Sequence, residues 1–511
     1  MVKDALDWPQ TLAQLLHPRV VTLLFLGFSA GIPLLLIFSS LSLWLREAGI
    51  DRATVTMFSW AALGYSFKFV WAPLVDQLPL PGLTRLLGRR RAWMLLAQLS
   101  IAAAILLMAS IEPASGDDSL TMMAIAAAML GFSSATQDIV IDAYRIESAD
   151  SKLQAMMSAS YIAGYRIAMI VAGAGSLYLA DWFGTSSDAY QYSAWRNTYL
   201  LMAMMMAVGI TTTLLIAEPQ KRPRSAALET TGDYLRFLLL FVVAVSGFIG
   251  AYLFSSEIAL QWKSSLGNSL LAAFTVELLR LLMAILMAWL LAALLVRARL
   301  LNYAMIERAY FLPIQDFFSR YRWSLAWLLL ALIGLYRISD IVLGAISNVF
   351  YEDMGFSKTE IANVAKTFGL LMTIAGGFVG GVLALRVGVV RILFLGAVLS
   401  AATNLLFMLL AGIGHDLFWL YLIISADNLS AGIAGAAFVA FLSSLTSVSF
   451  TAMQYAIFSS LMTLIPKTLG GYSGSMVNAV GYSNFFLLTA IIGLPVLLLI
   501  VAVTKRLHNH E

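Results

Sequence analysis

Fourteen apolar stretches, each about long enough to cross a bilayer as a helix, constrain this chain more than any other feature. They fall at about 20–44, 54–75, 92–111, 120–143, 155–181, 195–217, 234–260, 269–296, 324–350, 358–385, 390–412, 417–445, 452–477 and 483–504. In hydrocarbon every backbone N–H and C=O must find its partner within the protein, so repeated stretches of this length predict helices. The expected fold class is all-α and polytopic. Only 12% of the 511 residues are charged, against about 25% in a soluble domain.

Several chemistries are excluded early. The chain has no Cys, which removes disulfides, iron–sulfur clusters and thiolate zinc sites. Its four His (His17, His415, His508 and His510) lie outside the middle of every apolar stretch, so no imidazole metal site and no cofactor is expected. The net charge of +4 belongs to loops and argues against nucleic acid as a partner. No Walker sequence is present, so direct coupling to ATP is not expected. Residues 1–19 are polar with Pro9 and Pro18, and no signal peptide is expected there.

Lys and Arg set the expected orientation. Arg85, Arg89, Arg90 and Arg91 follow the second stretch, Lys221, Arg222 and Arg224 the sixth, and Arg297, Arg299, Arg308, Arg320 and Arg322 the eighth. The alternate loops carry few basic residues. The positive-inside rule then places both termini in the cytoplasm. An internal repeat is also visible. Gly49-Ile50-Asp51-Arg52 precedes the second stretch, and Gly355-Phe356-Ser357-Lys358 precedes the tenth. Gln154 and Arg166 of the fifth stretch are echoed by Gln454 and Lys467 of the thirteenth. Two six-helix bundles are expected, at 1–217 and 324–511. Residues 218–323 would be a linker with two extra helices and an amphipathic segment from Asn302 to Phe318. Parallel six-helix halves resemble the plan of the major facilitator superfamily. Asp76 at the end of the second stretch, with Gly88-Arg89-Arg90-Arg91 opening the third, is similar to that superfamily's loop signature. Ala72 stands where the signature has Gly, and Gly380-Gly381 with Arg386, Gly388 and Arg391 looks like a decayed second copy.

Charged residues inside the stretches carry the functional reading. At about 1.5 Å per residue, Arg166, Arg337, Asp340 and Asp427 fall near mid-depth, Lys366 and Lys467 toward the outer side, and Lys68 and Asp138 toward the inner side. Facing lipid, these eight would cost ~20 kcal/mol or more together, more than the net stability of a typical protein. They must pair or line water, and one central cavity is expected. Cations outnumber carboxylates among them, which favours an anionic substrate, while a buried Asp suits a proton carrier. Asp138, Asp142 and Arg145 share a helix face, and Gln137 with Asp138 is expected to reach the cavity. Asp142 and Arg145 lie near the inner end, where they either pair with each other or brace the Asp76 and Arg89–Arg91 loop. Arg337 with Asp340, and Glu277 with Arg280, are spaced to neutralise each other on one helix, and Lys68 is long enough to snorkel to the interface. Tyr165 and Tyr455, with Tyr65, Trp71, Tyr161 and Tyr336, either pack the core or offer flat faces to sugar rings.

The run Ser133-Ser134-Ala135-Thr136-Gln137-Asp138-Ile139-Val140-Ile141-Asp142-Ala143-Tyr144 resembles a stretch of AmpG-type muropeptide permeases. So do Leu26 to Leu34, Phe67 to Asp76, Gly88 to Trp93, Gly164-Tyr165-Arg166, Lys366 to Leu370, Asp427-Asn428-Leu429-Ser430-Ala431-Gly432 and Ser449 to Ala456. The resemblance implies a multi-pass carrier of the bacterial inner membrane, driven by the proton gradient. It would import N-acetylglucosaminyl-1,6-anhydro-N-acetylmuramyl peptides for wall recycling, with a link to beta-lactamase induction. It implies protons and membrane lipids as partners and a monomer as the working form. Two departures matter. Lys467 stands where the family pattern often has Arg, and the two extra helices lie between the halves rather than at the C-terminus, as in some members.

The resulting expectation is a transporter and not an enzyme. Arg166, Arg337, Lys366, Lys467, Lys68, Gln137, Asn428, Gln454, Tyr165 and Tyr455 are the expected substrate contacts. Asp138, Asp427, Asp340 and Asp142 are the coupling carboxylates, and Asp76, Arg89, Arg90, Arg91 and Arg145 the gate. A flippase for a lipid-linked sugar and a membrane-embedded cell-wall enzyme are the alternatives. The short loops and the facilitator-like signature argue against both.

Overall fold

The structure is a computed structural model. It describes residues 14–50, 54–55, 58, 65, 67–149, 151–185, 189–219, 231–265, 270–298, 306–356, 358–470 and 473–508. Its long helices are α1 (Pro18–Ile37), α2 (Arg89–Ala109), α3 (Asp117–Ser148), α4 (Ser151–Ile170), α5 (Tyr192–Leu215), α6 (Thr231–Phe254), α7 (Leu270–Arg297), α8 (Leu312–Leu335), α9 (Ile338–Asp353), α10 (Gly369–Val387), α11 (Val389–Ile413), α12 (Leu417–Leu445), α13 (Thr451–Gly470) and α14 (Ser473–His508). Among the described residues, twelve helices are long and apolar enough to cross a membrane. The stretch at 54–75 lies partly outside the described residues, its described end forming the short turns Lys68–Val70 and Ala72–Gln77, and that at 269–296 forms α7.

The chain forms two compact units. One comprises Met1–Val75, Pro79–Arg222 and Phe317–Glu511; the other comprises Asp76–Leu78 and Pro223–Asp316. Within the larger unit are two apolar cores. The first gathers Trp44, Trp195, Tyr199 and their neighbours from residues 32–206. The second gathers Phe350, Phe407, Phe486 and others from residues 317–503, and takes in Ile146 and Ala155 from earlier in the chain. In the smaller unit, Arg280 of α7 donates to the carbonyl of Tyr252 at 2.7 Å and lies over its ring at 4.1 Å. The side chain of Glu277 lies outside the described residues.

Glycines let helix backbones touch inside each core. A Cβ at Gly27 of α1 would stand 2.1 Å from the carbonyl oxygen of Tyr161 in α4, and one at Gly164 would stand 1.9 Å from that of Leu24. Gly376 of α10 and Gly432 of α12 do the same against Leu429 and Thr373, at 2.1 and 2.2 Å. Without a hydrophobic driving force between helices in lipid, such close approach and its dispersion energy hold spans together. Gly381 of α10 lies against α4, where its Cβ would meet Ala159 Cβ at 3.2 Å and Ala155 O at 3.3 Å. That seam joins helices from the two ends of the chain.

Several spans are interrupted. α8 and α9 are separated at Tyr336–Arg337, a break within one candidate span, Glu307–Gly344. π-helical turns occupy Val171–Gly175 and Ala362–Phe368. Irregular turns of this kind inside a span are tolerated where they are enclosed by protein or line a polar path.

Candidate functional site

The end of the larger unit that carries Arg89–Arg91 is built on a glycine and a carboxylate. Gly88, at φ 85°, caps α2 without a side chain of its own. Glu218 supplies the missing acceptor: its Oε1 and Oε2 take the N–H groups of Arg90 and Arg91 at 2.9 and 3.1 Å. A Cβ on residue 88 would stand 2.5 Å from that carboxylate, so the glycine makes the cap sterically possible. Arg91 then reaches the last carbonyls of α5, Thr213 at 2.9 Å and Leu214 at 2.6 Å.

Arg90 is 1% exposed and forms a two-pronged pair with Glu147, at 3.0 and 2.6 Å. Arg89 approaches the same carboxylate at 3.6 Å. Thr451, from α13, accepts from Arg90 at 2.7 Å and donates to Glu147 at 2.6 Å. A few residues away, Arg145 is fully buried. Its Nη1 donates to Gln154 at 3.0 Å, Ser158 at 3.2 Å and Ser443 of α12 at 2.6 Å. Its Nη2 meets Asp142 at 3.3 Å, and the guanidinium lies 5.2 Å from the Tyr455 ring centre. Arg145 thus pairs with Asp142, and its other contacts run to Gln154, Ser158 and Ser443. Asp76 is buried.

Among the described residues, the intramembrane charges fall into separate groups. Lys68 is buried, and its Nζ lies 3.9 Å from Asp142. Asp142 is therefore flanked by two cations. Asp138, one turn earlier on α3, accepts from the Tyr161 hydroxyl at 3.3 Å and lies within electrostatic reach of Lys68 and Asp142. Tyr165 and Tyr455 are close enough to feel its charge. Tyr65 donates to Ser134 at 2.6 Å beside them.

Arg166 is half-buried in α4. Its guanidinium makes one polar contact, to Met169 Sδ at 3.8 Å, and no carboxylate partners it among the described residues. The charge it feels is another cation, Arg337, at the break between α8 and α9. Arg337 in turn stands 4.0 Å from Asp340. Asp340 accepts from Ser400, and Asp427 from Thr403 at 3.2 Å.

Other sequence candidates are engaged structurally. Gln137 is fully buried against α1, accepts from Ser29 at 3.2 Å and leaves its Nε2 without a partner. Asn428 is held by Thr373 at 2.9 Å and the Ile424 carbonyl at 3.1 Å. Gln454 is 1% exposed and accepts from Arg320 at 3.0 Å and the Ser447 N–H at 2.7 Å. The side chains of Lys366 and Lys467 lie outside the described residues; the Lys366 backbone belongs to the π-helical turn Ala362–Phe368. Glu147, Glu218, Ser443 and Thr451 were not among the candidates. Glu147 and Glu218 sit at helix ends where a carboxylate is ordinary, and a hydroxyl in a span carries no charge signal. Among the described residues, no three His, Cys, Asp or Glu side chains cluster as a metal site.

Comparison with known proteins follows this geometry. The model of the Major Facilitator Superfamily matches residues 20–336. The anhydromuropeptide permease of Escherichia coli (strain K12) is 30% identical over 493 residues, which cover 96% of this chain and 81% of the relative. A Rickettsia felis protein bearing the name AmpG 4 is also 30% identical, over 96% of this chain and 97% of its own. Among solved structures, the proton:xylose symporter XylE superposes with a TM-score of 0.54 at 11% identity, covering 96% of this chain and 95% of that one. The human organic anion transporter MFSD10 gives 0.51 at 14%, covering 94% and 99%. At such identities the structures speak for the fold alone, but the sequence relatives span nearly the whole chain. The chain is a multi-pass membrane transporter, not an enzyme, and belongs to the AmpG-type permeases of the Major Facilitator Superfamily.

Proposed function

We propose that this transporter carries anhydro-muropeptides from periplasm to cytoplasm in symport with protons, supplying wall recycling and the signal for beta-lactamase induction. It would sit in the bacterial inner membrane among its lipids, as a monomer with both termini cytoplasmic. Two six-helix halves, 1–217 and 324–511, would rock about the seam of α4 and α10. The observation that carries the reading is Arg166. A guanidinium inside a membrane span, with a thioether as its one polar contact among the described residues and a second cation for company, is arranged for an incoming anion. The carboxylates of a muropeptide peptide supply that anion, and the tyrosines around Asp138 offer flat faces to its sugar rings. The name of the Escherichia coli relative supports the same substrate class.

Asp138 is the best-supported proton carrier. Asp142 is paired with both Lys68 and Arg145, whereas Asp138 accepts from a hydroxyl and shares Lys68 only at longer range. Proteoliposomes with an inward acid gradient should accumulate labelled anhydro-muropeptide. Uptake by an Asp138→Asn, Asp427→Asn double variant that still follows the gradient would sink the coupling assignment. Arg166→Gln should raise the half-saturating substrate concentration about 10- to 150-fold, as expected for loss of a charge-assisted hydrogen bond of about 1.5–3 kcal/mol. An unchanged value would remove Arg166 from the substrate site.

A further inference from the structure

Arg322, inside α8, is the one residue other than glycine with a positive φ among the described residues. It stands at φ 54° and ψ 159°, a conformation that glycine adopts freely and that a side chain resists. The chain bends there, with residues 312–321 on one side and the apolar run from Trp323 on the other. Packing explains the bend. Phe317 meets the ring of Phe458 in α13 at 5.2 Å, and Arg320 donates to Gln454 of the same helix at 3.0 Å. Packing does not explain an arginine at the vertex. Its side chain is exposed and pairs with no carboxylate among the described residues. A strained position occupied by an exposed charge points to a function for that charge.

The end of α14 brings more charge of the same sign. Arg506 donates through Nη1 to Ser324 Oγ, two residues beyond the bend. That bond sets the end of one apolar run beside the start of another. Lys505 and Arg506 follow a run that ends at Val503, and Arg322 precedes the run that begins at Trp323. All three cations are exposed, and none of them meets a carboxylate among the described residues. On the apolar side of Arg322, Trp323 and Trp327 are 68% and 56% exposed. Phe318 steadies both indoles, at ring distances of 4.5 and 5.6 Å. Exposed indoles next to exposed cations mark the headgroup level of a bilayer.

Charge and polarity together define the ligand. Three cations call for an anion, and the forked guanidinium matches the oxygens of a phosphate. The indoles call for hydrocarbon attached to that phosphate, which a free phosphate lacks. A zwitterionic headgroup would bring a cation of its own against the three already there. An anionic phospholipid satisfies both demands.

We propose that Arg322, Lys505 and Arg506, with Trp323 and Trp327, bind the headgroup of an anionic phospholipid where the bend in α8 meets the end of α14. The site depends neither on the substrate carried nor on the coupling carboxylates. The test uses the full chain in neutral detergent, titrated with phosphatidylglycerol and, in parallel, with phosphatidylcholine. Thermal unfolding should shift upward saturably with phosphatidylglycerol and not with phosphatidylcholine, as for any ligand that binds only the folded state. Glycerol phosphate alone should give no shift. Arg322→Gly relieves the backbone and removes the charge together. It should melt no lower than the wild type without lipid, yet need at least tenfold more phosphatidylglycerol for a half-maximal shift. Arg506→Gln should show the same tenfold loss, and Arg196→Gln, which removes a charge elsewhere, should keep the wild-type response. If Arg322→Gly melts lower without lipid, Lys505→Gln decides in its place by the same tenfold criterion. The site is overturned if the two lipids act alike on the wild type or if glycerol phosphate reproduces the shift. It is equally overturned if Arg506→Gln responds as the wild type does, or if Arg196→Gln loses as much as Arg506→Gln.

Discussion

Glu218 lies outside the membrane-spanning helices, yet it fixes the start of α2. Burial pushes its carboxyl above the usual value of 4.5, an effect that the N–H groups of Arg90 and Arg91 oppose. A raised carboxyl favours the folded state at low pH, and that contribution is lost as pH rises through the folded value. The wild type should therefore lose thermal stability relative to Glu218→Gln as pH climbs from 4.5 toward neutral. Melting curves at several pH values check it, and a difference that grows the other way would remove burial as the dominant effect. At this scale the sequence made charged residues in spans legible, because lipid makes each one expensive. It hid Glu218, Ser443 and Thr451, whose roles depend on which distant helix end arrives beside them. It also drew Gln454 toward the substrate, where the structure braces that amide against Arg320 and Ser447.

At the level of elements, hydropathy alone marks the spans, and the described helices follow it closely. Their interruptions were not legible. Nothing in Leu335-Tyr336-Arg337-Ile338 is a helix breaker by propensity, so the break between α8 and α9 is imposed by tertiary packing. Close helix packing at the glycines depends on which partner backbone arrives opposite each one. Gly164→Val would drive a branched side chain into the Leu24 carbonyl of α1. Overpacking of this sort costs about 1–3 kcal/mol. The variant should melt several degrees lower than Gly175→Ala, whose added methyl would meet its nearest atom, the Ile170 carbonyl oxygen, at 3.7 Å. Equal melting temperatures would mean that α1 and α4 can part without penalty.

For the whole molecule, the ties between early and late helices concentrate at the Arg89–Arg91 end. Arg145 to Ser443, and Thr451 between Arg90 and Glu147, close that end in this conformation. Ser443→Ala removes one hydrogen bond to a charged group, about 1.5–3 kcal/mol. The native chain has no cysteine, so a single Ala155→Cys at the α4–α10 seam reports opening directly. Its labelling by a maleimide should quicken at least tenfold in the Ser443→Ala background. An unchanged rate would assign closure to the apolar seam instead.

The chemistry of these ties has a consequence for how the closure responds to its surroundings. Every formal charge involved, on Arg90, Glu147, Arg145 and Asp142, belongs to the early helices and stays with them. The late helices contribute hydroxyls and a tyrosine ring. Separation therefore strips away neutral partners and leaves each ion pair whole. Dissolved salt screens the attraction between ions and has little hold on a hydroxyl. Opening at this end should thus proceed at nearly the same rate in dilute buffer and in concentrated salt.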